Sequence, residues 1–188
     1  MTFYKFRNFS NYKYLLDIIV NQRLYASNFR SLNDNLEGQF TSNAFDDTKK
    51  RVTLTPKSED HISICSFSAN YKSHLLWSHY ADGHRGMALG FTIDDNKYNI
   101  QKVNYDGLSH FDDLPITLDE KKQVFLNKIK DWEYEEEYRV ISEKQCFIDI
   151  KIEKIIFGTE ASKADKELVT KLVELIDKNI AIETYKEF

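Results

Sequence analysis

The sequence predicts an α+β fold built on a mixed, largely antiparallel sheet with flanking helices. Three observations predict it. Short runs rich in β-branched and aromatic residues recur along the chain, and helical spacing appears between some of them without the regular alternation of a parallel α/β sheet. A hydrophobic fraction of 41% and an aromatic fraction of 14% over 188 residues are enough for a substantial core and too apolar for a disordered chain. With only 2 Pro and 6 Gly, a linker-rich or repeat architecture is disfavoured. No internal repeat or boundary is visible, so a single domain over residues 1–188 is expected.

Taken in order, residues 3–6 read as a first strand. Asn8 or Ser10 can cap a helix over 12–21, where "YKYLLDIIV" has helical spacing. "RLYAS" reads as a strand and "NFRSLNDNLEGQF" as a turn-rich loop whose Asn, Asp, Ser and Gly favour local hydrogen bonding. Residues 41–60 are polar and poorly patterned and are expected to form a mobile surface segment. "HISICSF" is a buried strand, "SHLLWSHYA" a short helix broken by "ADGHRG", and "MALGFTI" the next strand, with "IQKVNY" as its hairpin partner. Residues 118–130 have amphipathic helical spacing through Val124, Phe125, Leu126 and Ile129. "CFIDI" and "KIIFG" follow as strands. Ser162 caps a last long helix, with Asp165 three residues on and an inward stripe of Leu168, Leu172, Leu175 and Ile176. "IAIETY" closes the chain as a strand.

A net charge of -4 and a pI near 5.8 disfavour a globally basic nucleic-acid binder, while a few local cations suffice for a small anionic ligand. Cys65 and Cys146 form no Cys-x-x-Cys pair, so neither a zinc knuckle nor a redox motif is signalled; two isolated thiols suit a reducing compartment, with one disulfide as the alternative. The N-terminal "MTFYKFRNFS" lacks the apolar run of a signal peptide, and no run approaches the ~20 residues of a membrane span. A soluble cytoplasmic protein without membrane contact is expected.

The densest chemistry lies in "WEYEEEYR", residues 132–139. Read as a strand, it alternates Trp132, Tyr134 and Tyr138 on one face, with Glu136 as the exception there, and Glu133, Glu135, Glu137 and Arg139 on the other. Helical spacing of Tyr134, Tyr138 and Ile141 is the competing reading, and the aromatic and β-branched content favours the strand. The acidic face is either a solvated edge or a half-buried charged wall, in which burial would raise carboxylate pKa values.

The ordered pieces "FYKFRNF", "LYASNFRSLNDNLEG", "CSFS", "LLWSHYADGHRGMALGF", "KIKDWEYEEEYRVIS" and "IEKIIFG" resemble the bacterial family called domain of unknown function twenty-nine seventy-one over the whole chain. Two short stretches depart from it. Asn35 and Leu36 stand where the family usually has Pro-Phe, and Lys72 and Ser73 stand where it tends to have an Asp. More distantly, Arg7, then Ser66-Phe67-Ser68, then Glu135-Glu136-Glu137 are similar in order to the Arg, Ser-x-Ser and Glu-x-Glu elements of ADP-ribosyltransferases. That resemblance implies an ADP-ribosyltransferase-like sheet and NAD as the substrate. Glu137 would hydrogen-bond the ribose 2′-hydroxyl and stabilise the oxocarbenium-like transition state, and Glu135 would orient a protein or nucleic-acid acceptor. Arg7 would hold the pyrophosphate or ribose, and Ser66, with Ser68, would position the nicotinamide-side strand. Trp77 or Tyr80 would stack on a ring, although both also suit a core. Phage–host conflict is an expected setting, for this chemistry or for ligand capture alone.

Two other functions fit the residues. Lys5, Arg7, His79, His84 and Arg85 could capture a nucleotide-like small molecule without turnover, with Gly86 allowing close approach of backbone to ligand. Asp34, Glu37, His79, His84, Glu135 and Glu137 supply donors for a metal-dependent phosphodiesterase or nuclease, but His74, His79 and His84 recur at five-residue intervals and not at the four of a helical zinc pair. No metal is expected.

Overall fold

Helical and strand periodicities in the chain translate into elements whose inward faces are mostly the apolar ones. A computed structural model describes residues 1–44, 49–54, 62–115, 117–144 and 146–186. Among them the strands are β1 (Phe3–Arg7), β2 (Arg23–Asn28), β3 (Gln39–Ser42), β4 (Lys50–Thr53), β5 (Ser63–Ser68), β6 (Met87–Thr92), β7 (Ile100–Lys102), β8 (His110–Phe111), β9 (Glu137–Ser142), β10 (Cys146–Asp149), β11 (Lys151–Phe157) and β12 (Ala181–Thr184). The α-helices are α1 (Tyr12–Asn21), α2 (His74–Tyr80), α3 (Leu118–Val124) and α4 (Lys163–Ile176). The mixture is α+β, as expected. The chain divides into two compact units, one of Met1–Leu24, Phe67–Tyr98 and Phe147–Phe188, the other of Tyr25–Ser66 and Asn99–Cys146.

In the first unit, β6 is the central strand. Every residue from Met87 to Phe91 is buried, because "MALGF" offers no polar side chain to either face. β1 and β11 flank it, both antiparallel, and β12 adds to β11 in parallel. Phe3, Phe67 and Phe91 interlock on one side, with Phe3 and Phe67 centroids 4.7 Å apart. α1 buries Leu15, Ile18 and Ile19, the i, i+3, i+4 set that its spacing predicts.

α4 starts as predicted: the Ser162 hydroxyl accepts the Asp165 N–H at 3.1 Å. Its inward face differs from the expected one. Val169 and Val173 are buried, whereas Leu168 is 51% and Leu175 85% exposed. Apolar residues at 168, 169, 172, 173, 175 and 176 offer two overlapping stripes, and one residue of shift turns a helix by ~100°.

The turn after α2 is left-handed at three successive residues, Asp82, Gly83 and His84, with φ of 50°, 58° and 67°. It brings the His84 carbonyl against Gly158, where any Cβ would overlap it. Gly158 N–H in turn donates to the Gly86 carbonyl at 2.9 Å. Gly158→Ala must therefore separate two backbone segments. The expected cost is about 2–3 kcal/mol, read as a Tm lower by roughly 5 °C or more. An unchanged melt would show that the segments part without cost.

In the second unit, β5 pairs with β2 through Ile64 and Ser63, and β9 pairs with β5 and with β7. β3 pairs with β4 antiparallel and with β8 in parallel. Phe29, Phe40, Leu54, Ile62, Ile64, Val124 and Phe125 form the apolar core.

Three expectations are corrected in this unit. β7 does not form a hairpin with β6: Ile100, Gln101 and Lys102 pair with Val140, Arg139 and Tyr138. The 41–60 stretch contributes β3 and β4, with 45–48 and 55–60 outside the described residues. The 118–130 helix ends at Val124, because the chain then turns to pair with the segment at Asn104: Asn104 N–H donates to Leu126 O and Lys128 N–H to Asn104 O, each at 2.8 Å. This long-range pairing overrides helical periodicity.

Candidate functional site

The "WEYEEEYR" stretch is not one strand. Lys130–Glu135 form a 3-10 segment, Glu136 is left-handed with φ of 42°, and only from Glu137 does β9 begin. The expected alternation holds within β9, where Glu137 and Arg139 share a face. That face is the buried one, with Glu137 at 4% and Arg139 at 1% exposure. Glu135, though off the strand, is buried too. The reversal at Glu136 accounts for this, since it keeps residues on both sides of it inside while Glu136 itself is exposed.

Arg139 is the organising group. Its Nε donates to Glu137 Oε1 at 2.7 Å and its Nη2 to Glu137 Oε2 at 3.1 Å. Nη1 donates to Glu37 Oε2 at 3.0 Å and to the Phe125 carbonyl at 2.6 Å, and Nη2 also donates to Glu37 Oε1. All five guanidinium hydrogens thus have acceptors, and two carboxylates are gripped by one planar fork. Lys128 completes the cluster. Its Nζ lies 2.7 Å from Glu135 Oε2 and 2.8 Å from Glu137 Oε2, with Glu37 Oε1 at 4.0 Å.

Burial by itself would raise the pKa of Glu137, but the Arg139 and Lys128 charges beside it outweigh that and hold it well below the ordinary carboxylate range. Burial works against the charge on Lys128 and Arg139 as well, and in both the neighbouring carboxylates win and raise the pKa. Three carboxylates against two cations leave the cluster with a formal charge of one negative unit. Tyr105 closes it: its hydroxyl oxygen accepts the Glu137 N–H at 2.7 Å, and burial pushes the phenol's own pKa up, so it stays neutral.

An open cleft of about 370 Å³ belongs to the same unit, lined by Asp34, Leu36, Ile129, Asp131, Trp132 and Tyr134, together with Asn35. Each wall continues in sequence into the charge cluster: Leu36 into Glu37, Ile129 back into Lys128, and Tyr134 into Glu135. Lys128 also touches the wall directly, with Nζ 5.0 Å from the Trp132 ring centroid.

The other predicted site residues are distributed as follows. Ser66 lies on β5 in the second unit and is half-buried. In the first unit, Lys5 and Arg7 are half-buried on β1, opposite Leu89 and Met87. The Ser68 hydroxyl closes a local turn, donating to Asn70 O at 2.8 Å and accepting Asn70 N–H at 2.9 Å. Trp77 is fully buried, donates its indole N–H to Tyr71 O at 2.7 Å, and stacks with His84 at 5.3 Å. Tyr80 is half-buried, and Arg85 is exposed with Nη1 donating to Asp82 O at 3.1 Å. No group of three metal-binding side chains lies among the described residues. No helix there is long and apolar enough to cross a membrane.

No motif in the sequence points to Lys128 or Tyr105, and among the functional readings Glu37 enters only as a metal donor. The sequence marks Lys128 only faintly: it stands near Phe125, Leu126 and Ile129, but Asn127 and Lys130 make the stretch read as an ordinary amphipathic surface.

No protein-family model matches the chain, and no curated protein matches it significantly. Among solved structures the chain is similar to DarT of Thermus sp. 2.9, a structure determined in complex with NAD+, at 13% identity over 98% of this chain and 95% of that one, with a TM-score of 0.45.

Proposed function

We propose that this chain cleaves the nicotinamide–ribose bond of NAD, passing ADP-ribose to an acceptor or to water. The observation that carries this reading is Glu137, a buried carboxylate held ionised by two cations in a cluster with an excess of one negative charge. As the glycosidic bond breaks, positive charge develops on the ribose. A fixed negative charge in water-poor surroundings stabilises that charge without having to reorganise. Glu135, two residues earlier and bound to the same Lys128, preserves the Glu-x-Glu spacing with both acids inside.

The test is nicotinamide release from NAD by the purified protein. Glu137→Gln is expected to lower kcat about 10²–10³-fold. Because the substitution also unbalances the cluster, folding is checked by circular dichroism. Glu137→Asp, which keeps the charge and shortens its reach, serves as the companion, expected to fold and to be slowed. Absence of nicotinamide release by the unmodified protein, or full activity in either folded variant, overturns the proposal.

The complete satisfaction of Glu137 by Arg139 and Lys128 favours a second reading, a non-catalytic nucleotide-binding module in which the cluster only holds the site's shape. Saturable NAD binding without turnover, unchanged in folded Glu137→Asp, supports that alternative.

A further inference from the structure

We propose that the Asp34–Trp132 cleft is a binding site for a guanidinium group, such as the arginine side chain of a peptide. The cleft's chemistry is one-sided. Among the described residues lining it, both charged ones, Asp34 and Asp131, are carboxylates. Such a lining repels phosphates and separates this cleft from any dinucleotide phosphate site. Asp34 is 7% exposed, and its Oδ1 accepts the Leu36 N–H at 2.9 Å, a bond that fixes the carboxylate's orientation. A carboxylate has about four lone-pair sites, so this one bond leaves acceptor capacity on a residue that lines the cleft.

The remaining wall selects a planar cation. Trp132 and Tyr134 stand with ring centroids 6.1 Å apart and planes tilted by 37°, giving a broad aromatic surface. Guanidinium stacks on such surfaces while its N–H groups reach carboxylates in the same plane. An ammonium is compact, more strongly hydrated and has no plane to stack. Leu36 and Ile129 supply apolar surface for an aliphatic stem. Lys128, close to the Trp132 ring, does not cancel the cleft's charge, because Glu135 and Glu137 bind it directly.

The experiment follows Trp fluorescence or amide chemical shifts while the full chain is titrated, without NAD, with Nα-acetyl-arginine methylamide, the matching lysine compound and the neutral citrulline compound. Saturable binding of the arginine compound is expected, about tenfold tighter than of either other compound. Asp131→Asn, an exposed substitution, is expected to weaken it about fivefold. Trp132→Ala is expected to weaken it by a similar factor. Equal affinity for arginine and citrulline compounds, no saturable binding, or undiminished affinity in Asp131→Asn overturns the assignment, and Asp131→Asn decides if Trp132→Ala does not fold. Because NAD is absent, failure here leaves the glycosidic reading to its own test.

Discussion

Arg139→Met is expected to lower the unfolding free energy by about 3–5 kcal/mol, the range for breaking a buried ion pair by removing one partner. The side chain is 1% exposed and donates to Glu37, Glu137 and the Phe125 carbonyl. Methionine fills much of the volume, so the cost is electrostatic: two buried carboxylates lose their main counter-charge, with Lys128 left to serve three. Urea denaturation at neutral pH measures the effect. Arg139→Lys is expected to recover only part of the loss, because an ammonium cannot grip two carboxylates in one plane. Adding Glu137→Gln to Arg139→Met is expected to recover stability by removing a stranded charge, a non-additivity that marks a shared network. A loss below about 1 kcal/mol in Arg139→Met would rank this cluster with surface ion pairs.

Acid is expected to act through the same residues. The carboxyl of Glu137 is held below its unfolded value, which is near 4.3 for a glutamate. Between those two values the unfolded chain binds the additional proton, so stability falls as pH falls. The contribution is fully present above about pH 4.5 and is lost progressively below it, at about 1.4 kcal/mol per pH unit within the window. Lys128 acts with the opposite sign: its raised pKa stabilises the fold below about pH 10.4 and that contribution is lost as pH rises through the folded value. Urea midpoints at pH 7, 5, 4 and 3 should therefore fall more steeply in the unmodified protein than in Glu137→Gln, which has no carboxyl to protonate there. Parallel curves would remove Glu137 as the source of acid sensitivity.

Much of the local structure is legible in the residues. The 12–21 helix matches α1, and the runs "HISICSF" and "MALGFTI" supply most of β5 and all of β6, because composition and period point the same way there. Legibility fails where two periods or two faces compete. Residues 118–130 have helical spacing throughout, yet the chain leaves the helix after Val124 to pair with Asn104. In α4 both a leucine and a valine stripe were available, and the valines are the ones inside.

The candidate site shows the same division. The acids of "WEYEEEYR" and the two-residue spacing of Glu137 and Arg139 follow from sequence alone, since alternation on a strand is a local property of the backbone. Sequence alone does not say which face points inward, and the ordinary expectation puts a charged face in water because burying a charge is costly. Only the tertiary structure resolves that cost. It brings Glu37, 102 positions away in sequence, onto Arg139 and sets Lys128 between Glu135 and Glu137. Partners so distant leave no periodic trace in the chain, and it is they that turn an acidic stretch into a buried, balanced cluster.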